Sequence, residues 1–165
     1  MMWRFLQEPD QPEGHRWLED NIGGRTTLDA YGIDTARDRS FEAIRNDARA
    51  AVPATHLDLL GHLQNSYRRG GAFFCHAGIR PGVPLEDQAE DDLVWIRGAF
   101  LNDPGDHGAL IVHGHTPIDA VTLYANRLNL DTGAAYGGPL GVVVIEEDAV
   151  FRLTRDGRVR LRPTA

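Results

Sequence analysis

The chain has 165 residues, 24 acidic and 17 basic, with a formal net charge of −7, a single cysteine and 42% hydrophobic residues. That length is one domain by prior, able to bury about 70% of its unfolded surface. Scattered arginines, gathered only from Arg152 to Arg162, argue against a nucleic-acid-binding face; Cys75 alone excludes an internal disulfide, and no run reaches membrane-spanning length.

Met1 to Leu6 is apolar and aromatic, too short and wrongly flanked for a signal peptide, and is broken by Pro9-Asp-Gln-Pro12. A cytoplasmic protein without membrane or nucleic-acid partners is therefore expected. Trp17, Leu18 and Ile22 suggest a short amphipathic helix ended by Gly23-Gly24, with Leu28, Tyr31 and Ile33 following in short pieces. Ser40 is placed to cap a helix carrying Phe41, Ile44, Ala48 and Val52 on one side, stopped by Pro53. Thr55, with Asp58 three residues on, predicts a further helix whose buried face is Leu57, Leu60, Leu63 and Tyr67, closed by Gly70-Gly71. Residues 1–70 are thus expected to be mainly helical and 71–165 mainly strands, within a single domain.

After Gly70 the pattern changes. Ala72-Phe-Phe-Cys75 and Leu110-Ile-Val-His113 read as short buried strands, since each apolar run is too short for a helix. Ile79 to Pro84 is a Pro/Gly loop, Leu93 to Ile96 an apolar element, and Leu123 to Leu128 a hairpin. Leu140 to Ile145 reads as the strongest strand, and Val150 to Leu161 as a hairpin turning at Asp156-Gly157.

Both buried strands end in a histidine followed by small residues: His76-Ala-Gly78, and His113-Gly-His115 where Gly114 allows a tight turn. Two apolar strands that each release an imidazole at the C-terminal end suggest histidines converging on one edge of a sheet, where α/β proteins hold ligands. Two readings stand: His76 and His115 share a metal ion, or they are hydrogen-bonded strand-end histidines. His113 is expected on the same side as His115, as the donor that orients a ligand from behind. His15, His56 and His62 read as surface or helix-face residues. Gly105-Asp106-His107-Gly108 resembles a metal motif but lacks its spacer residue, and a polar turn is the better reading. Arg97 ends an apolar element, either as a fork for phosphate oxygens or as a surface ion pair. Tyr136 stands over a pocket or simply packs, and Cys75 is expected to be strand packing rather than a nucleophile.

Taken together, His76-Ala-Gly-Ile-Arg-Pro-Gly-Val-Pro-Leu85, Leu93-Val-Trp-Ile-Arg97, Val112-His-Gly-His-Thr-Pro117 and Asn129-Leu-Asp-Thr-Gly133 resemble the C-terminal portion of the phosphoprotein phosphatases. These belong to the calcineurin-like metallophosphoesterases, and the small bacterial and phage serine/threonine phosphatases are the nearest type. The resemblance implies an α/β fold: the C-terminal part of a β-sandwich flanked by helices. It implies hydrolysis of phosphoproteins or phosphopeptides by a hydroxide activated between two divalent metals, commonly manganese. On the matching positions His76 and His115 would bind one ion and Arg97 the substrate phosphate. Tyr136 falls where eukaryotic members place a tyrosine near the phosphate, and Asp131 would support the ligands or only its turn. A symmetrical dinucleoside tetraphosphate hydrolase shares the His-Ala-Gly-Ile element and is the alternative within the class.

Family members begin with Gly-Asp-x-His-Gly, Gly-Asp-x-x-Asp-Arg-Gly and Gly-Asn-His-Glu, and none of these occurs here. The chain therefore reads as a domain without its front part, holding at most a metal half-site. It is expected to bind manganese poorly and to leave p-nitrophenyl phosphate intact. Exposed strand edges would favour a homo-oligomer or a completing partner chain, and a non-catalytic remnant is the further alternative.

Overall fold

The computed structural model describes residues 1–8, 10 and 12–164, in two units, Met1–Leu63 and Gln64–Ala165, each described by itself. The first is helical: α1 (Met2–Gln7), α2 (Pro12–Arg16), α3 (Gly24–Asp29), α4 (Phe41–Ala51) and α5 (Ala54–His62). Pro9 and Gln11, within the break expected after α1, lie outside the described residues. Ser40 caps α4 as expected, its hydroxyl accepting the Ala43 amide at 3.2 Å, and the helix ends just before Pro53. Phe5, Leu6, Trp17, Leu18, Leu28, Ile33, Ile44, Ala48 and Val52 form this unit's core, with the Phe5 ring 5.1 Å from both Trp17 and Phe41.

Three local expectations are corrected in this unit. Trp17 and Leu18 are buried, but they follow α2 rather than forming a helix that reaches Ile22. Thr55 lies inside α5, which starts after Pro53 without a side-chain cap. The helix buries no residue completely, and Leu63 is 61% exposed. Pro53 sets the helix start through its fixed φ, so the hydroxyl of Thr55 is not needed there.

The second unit begins with a strand the sequence reading missed. β1 (Ser66–Arg69) pairs antiparallel with β2 (Ala72–Cys75), and Gly70-Gly71 is their turn rather than a helix end. Tyr67 belongs to β1 and is 61% exposed, not part of a helix face. After β2 the chain crosses through α6 (Glu90–Trp95) and α7 (Gly98–Leu101) to β3 (Leu110–His113), then to β4 (Thr122–Leu123) and β5 (Arg127–Asn129). These make a five-stranded sheet of order β1-β2-β3-β5-β4, in which β2, β3 and β5 are parallel neighbours. The hairpin expected at Leu123 and Leu128 is the antiparallel β4–β5 pair.

A second sheet, β6 (Val143–Glu146), β7 (Ala149–Thr154) and β8 (Gly157–Arg160), is antiparallel, with its last turn between Thr154 and Gly157. β6 is shorter than expected: Leu140 is 78% exposed and stands outside it.

Strand alternation gives the first sheet two apolar faces. Phe73 and Ile111 pack with Ala77, Ile79, Leu93, Ile96 and Phe100 on the side of α6 and α7. Ala72, Val112, Leu123 and Leu128 join Val150 and half-buried Val143 and Ile145 of the second sheet. A cavity of about 1000 Å³ is lined by Phe74 and Leu110 of the first sheet, by Leu130 just after β5, and by Val143 and Ile145 of the second sheet. The chain is thus α/β, with a helical N-terminal part and a strand-rich C-terminal part.

Candidate functional site

Parallel β2, β3 and β5 all end at one edge of the sheet, and each releases a polar residue there: His76 after β2, His115 after β3 and Asp131 after β5. Backbone bonds tie the ends together, from the Gly114 amide to the His76 carbonyl and from the Leu130 amide to the His113 carbonyl, both 2.9 Å. Ladder pairing that runs right to the strand ends holds the three residues in fixed register.

The turn after β3 differs from the sequence expectation in which residue bends it. His115 itself takes the left-handed conformation, φ 66°, an uncommon state for a residue with a side chain. Gly114 serves close approach: a Cβ there would stand 3.3 Å from the Cβ of Asp131. The left-handed step also ends strand alternation, so His113 and His115 do not share surroundings. His113 is 3% exposed, with its ring 5.0 Å from Phe100 in an edge-on contact. Its Nδ1–H donates to the Gly114 carbonyl at 3.1 Å, and its Nε2 is buried without a partner among the described residues. Burial pushes its pKa down to about 4, against the opposing pull of the Gly114 carbonyl.

His115 instead faces His76. Their Nδ1 and Nε2 atoms are 3.1 Å apart, and the rings stand 4.9 Å apart at 63°. On the other side of the same ring, Arg97 Nε donates to His115 Nε2 at 3.2 Å. The Trp95 ring stands edge-on to His115 at 5.6 Å, a neighbour that the sequence reading overlooked although Trp95 lies two residues before Arg97. A guanidinium can only donate, so in this contact His115 Nε2 is the acceptor. Desolvation lowers the pKa of both rings; Arg97 and His76 lower His115 further, while Asp131 opposes the shift at both and a bond to the Trp95 backbone opposes it at His115.

Asp131 accepts the Gly133 amide at 3.0 Å on Oδ1, and its own amide donates to Asn129 Oδ1 at 2.9 Å. Asn129, 2% exposed, also donates from Nδ2 to the Thr116 carbonyl at 3.0 Å and so braces the two turns against each other. The sequence reading included Asn129 in the Asn129–Gly133 stretch but gave it no role of its own. Tyr136 sits on a 3₁₀ turn, Ala134–Tyr136, and is 81% exposed. The loop after Ile79 is tied down: Arg80 forks onto Asp92 at 3.0 and 2.5 Å, and the Gln88 side chain bonds the Arg80 amide and the Val83 carbonyl. Gly105–Gly108 is the expected polar turn, with Asp106 Oδ1 accepting the Gly108 amide at 2.8 Å.

Two imidazole nitrogens 3.1 Å apart have the spacing of two ligands on one ion. The donor set stops there. Among the described residues no group of three or more His, Cys, Asp or Glu side chains is arranged to hold a metal, whereas catalytic zinc sites use three protein ligands. The residues present fit half of a metal site and not a whole one. No helix among the described residues is long and apolar enough to cross a membrane.

No known family profile matches the chain, and no curated protein does. Among solved structures the chain is similar to "Crystal structure of a putative diadenosine tetraphosphatase", at 17% identity and a TM-score of 0.48. The match covers 83% of this chain and 64% of that one, so the chain spans less than two thirds of the length of the structure it matches.

Proposed function

We propose that the chain carries half of the hydrolytic centre of a metal-dependent phosphoesterase of the calcineurin-like type, acting in the cytoplasm. The observation that carries this reading is the meeting of His76, His115 and Arg97 at the C-terminal edge of parallel strands. The imidazole pair is the chain's contribution to one divalent ion, manganese by preference, and Arg97 is the fork for a phosphate oxygen. Asp131 and His113 hold the turn from which His115 projects, and exposed Tyr136 is assigned a place near the phosphate on the family resemblance alone. Asp131 is the carboxylate nearest the pair, but among the described residues no group of three or more such ligands is arranged to hold a metal, and the remaining ligands are assigned to another segment or a partner chain.

Two substrate classes belong to this reading. Phosphoserine and phosphothreonine in proteins are favoured by the sequence of the loop after Ile79. Diadenosine tetraphosphate is the substrate that the name of the similar structure gives for that protein. Both present a phosphate oxygen to the same arginine, and they differ in what must fit beside it.

Titration of purified 1–165 with Mn²⁺, read from the EPR signal of free ion, tests the half-site. Weak uptake that His76→Ala and His115→Ala each abolish is expected, with no hydrolysis of p-nitrophenyl phosphate above buffer. Uptake indifferent to both substitutions would remove the reading. Turnover by the isolated chain would show that its centre is complete. With a completing segment or partner present, a phosphopeptide and diadenosine tetraphosphate assayed side by side separate the two substrate classes.

A further inference from the structure

The five arginines gathered from Arg152 to Arg162, with Asp156 as the one acid among them, take no part in the centre described above. Two of them, Arg158 and Arg160, lie on β8, the last strand of the second sheet, whose four residues are all exposed. β8 is paired on one side only, with β7. The Leu161 amide donates to the Val150 carbonyl at 2.8 Å, so by alternation Val159 also turns its backbone towards β7, while Arg158 and Arg160 turn theirs outward. The two arginine side chains share one face of the sheet, opposite Leu153 and Phe151, and Val159 stands on the other face, 47% exposed. No hydrogen bond or ion pair engages the Arg160 guanidinium among the described residues. Arg158 Nη1 donates to Glu146 Oε1 at 2.5 Å, in a pair whose side chains are both half exposed.

We propose that the free edge of β8 takes an extended acidic peptide as one more strand of the second sheet. Pairing uses the outward amides and carbonyls of Arg158 and Arg160, the mode by which open sheet edges accept peptides. The peptide residues opposite Arg160 and Arg158 are two apart and share a face, so the partner carries an acid, an apolar residue and an acid in succession. Its carboxylates meet the two guanidiniums, and its apolar residue meets Val159. Charge selects this occupant. A second copy of β8, paired about a two-fold axis at Val159, would set Arg158 against Arg160 twice, the like-charge arrangement that keeps exposed edges apart. In β1, the other edge with two arginines, Arg68 and Arg69 are adjacent and point to opposite faces, which cannot match one row of acids. β8 carries none of the residues of the imidazole pair or its turns, so this binding is independent of the metal reading.

The probe is a blocked, fluorescein-labelled peptide that alternates glutamate and valine, added to purified 1–165. Fluorescence anisotropy gives the affinity, and amide hydrogen exchange followed by NMR locates the strand. The peptide should slow exchange at Arg158 and Arg160, whose amides otherwise face water, and leave Val159 unchanged. Arg158→Glu combined with Arg160→Glu should weaken binding by about tenfold or more, the scale of two cross-strand charge pairs turned repulsive. The same double variant should take up the lysine–valine counterpart instead, a gain that a misfolded chain would not show. Glu146→Gln releases Arg158 and should tighten binding by about twofold, the scale of one exposed ion pair. Equal affinity for a peptide of the same composition with its glutamates in one block would mean plain charge attraction and would overturn strand addition. Binding that leaves both arginine amides exchanging freely would overturn it too. Self-association of the chain with those amides protected, or preference for phosphatidylserine vesicles over the peptide, would give the edge a different occupant and remove the proposal.

Discussion

Gly78 and Phe100 meet so closely that a Cβ on the glycine would stand 2.2 Å from Cδ1 of the ring. The same ring lies edge-on to His113, 5.0 Å away, and is itself completely buried. One side chain from α7 therefore supports the turn after β2, which carries His76, and the end of β3, which carries His113. The two histidine-bearing turns are held by a common buried ring as well as by the sheet.

Gly78→Ala is accordingly expected to destabilise the second unit by about 3 kcal/mol, because the new methyl must displace packed ring atoms and Gly78 has φ 153°. Urea unfolding gives the loss. The ring shifts of His76 should change with it, since the glycine lies two residues away; a variant of unchanged stability would show that Phe100 moves freely.

Stability should fall on acidification through His113. Its pKa is about 4 in the folded chain and about 6.5 when unfolded, so the unfolded chain takes up the proton first. The contribution is whole above about pH 6.5, declines as the pH falls towards 4, and amounts to about 3 kcal/mol in all. Denaturant midpoints of chelator-treated protein at pH 7.5 and 4.5 measure it. His113→Gln should flatten the difference, and an equally steep decline in that variant would assign the loss to other groups.

Burial raises the Cys75 thiol to about 12, so at pH 8 only about one molecule in ten thousand carries the thiolate that alkylating agents attack. Iodoacetamide should label native protein at least a hundredfold more slowly than free cysteine, with rapid labelling once denaturant is added. Mass spectrometry after timed quenching reads both. Fast labelling of the native chain would show the strand end to be open to solvent.

In the helical unit, Ser40→Ala removes the bond from the Ala43 amide to the cap hydroxyl and should cost about 1 kcal/mol. Loss of helical circular dichroism with temperature measures it, and Ser40→Asp should restore the wild-type midpoint.

What the sequence determined by itself was local. Ser40 before a 3.6-residue apolar stripe, the apolar runs that make Ala72–Cys75 and lead into His113 from Leu110, and Asp156-Gly157 between alternating runs each carry their signal within a few neighbours, and each became the element expected. The histidines at the strand ends were visible for the same reason. β1 was not, because Ser66–Arg69 is polar and exposed, and its pairing with β2 supplies what its composition does not. Only the tertiary structure decided which histidine faces which. His76 and His115 are 39 residues apart in sequence, and Arg97 and His115 are 18 apart. The left-handed step at His115 breaks the alternation from which a shared face with His113 was expected. Periodicity describes a strand as long as the strand lasts. Beyond its end, register with neighbouring strands and the space left by Gly114 beside Asp131 set the direction of each ring.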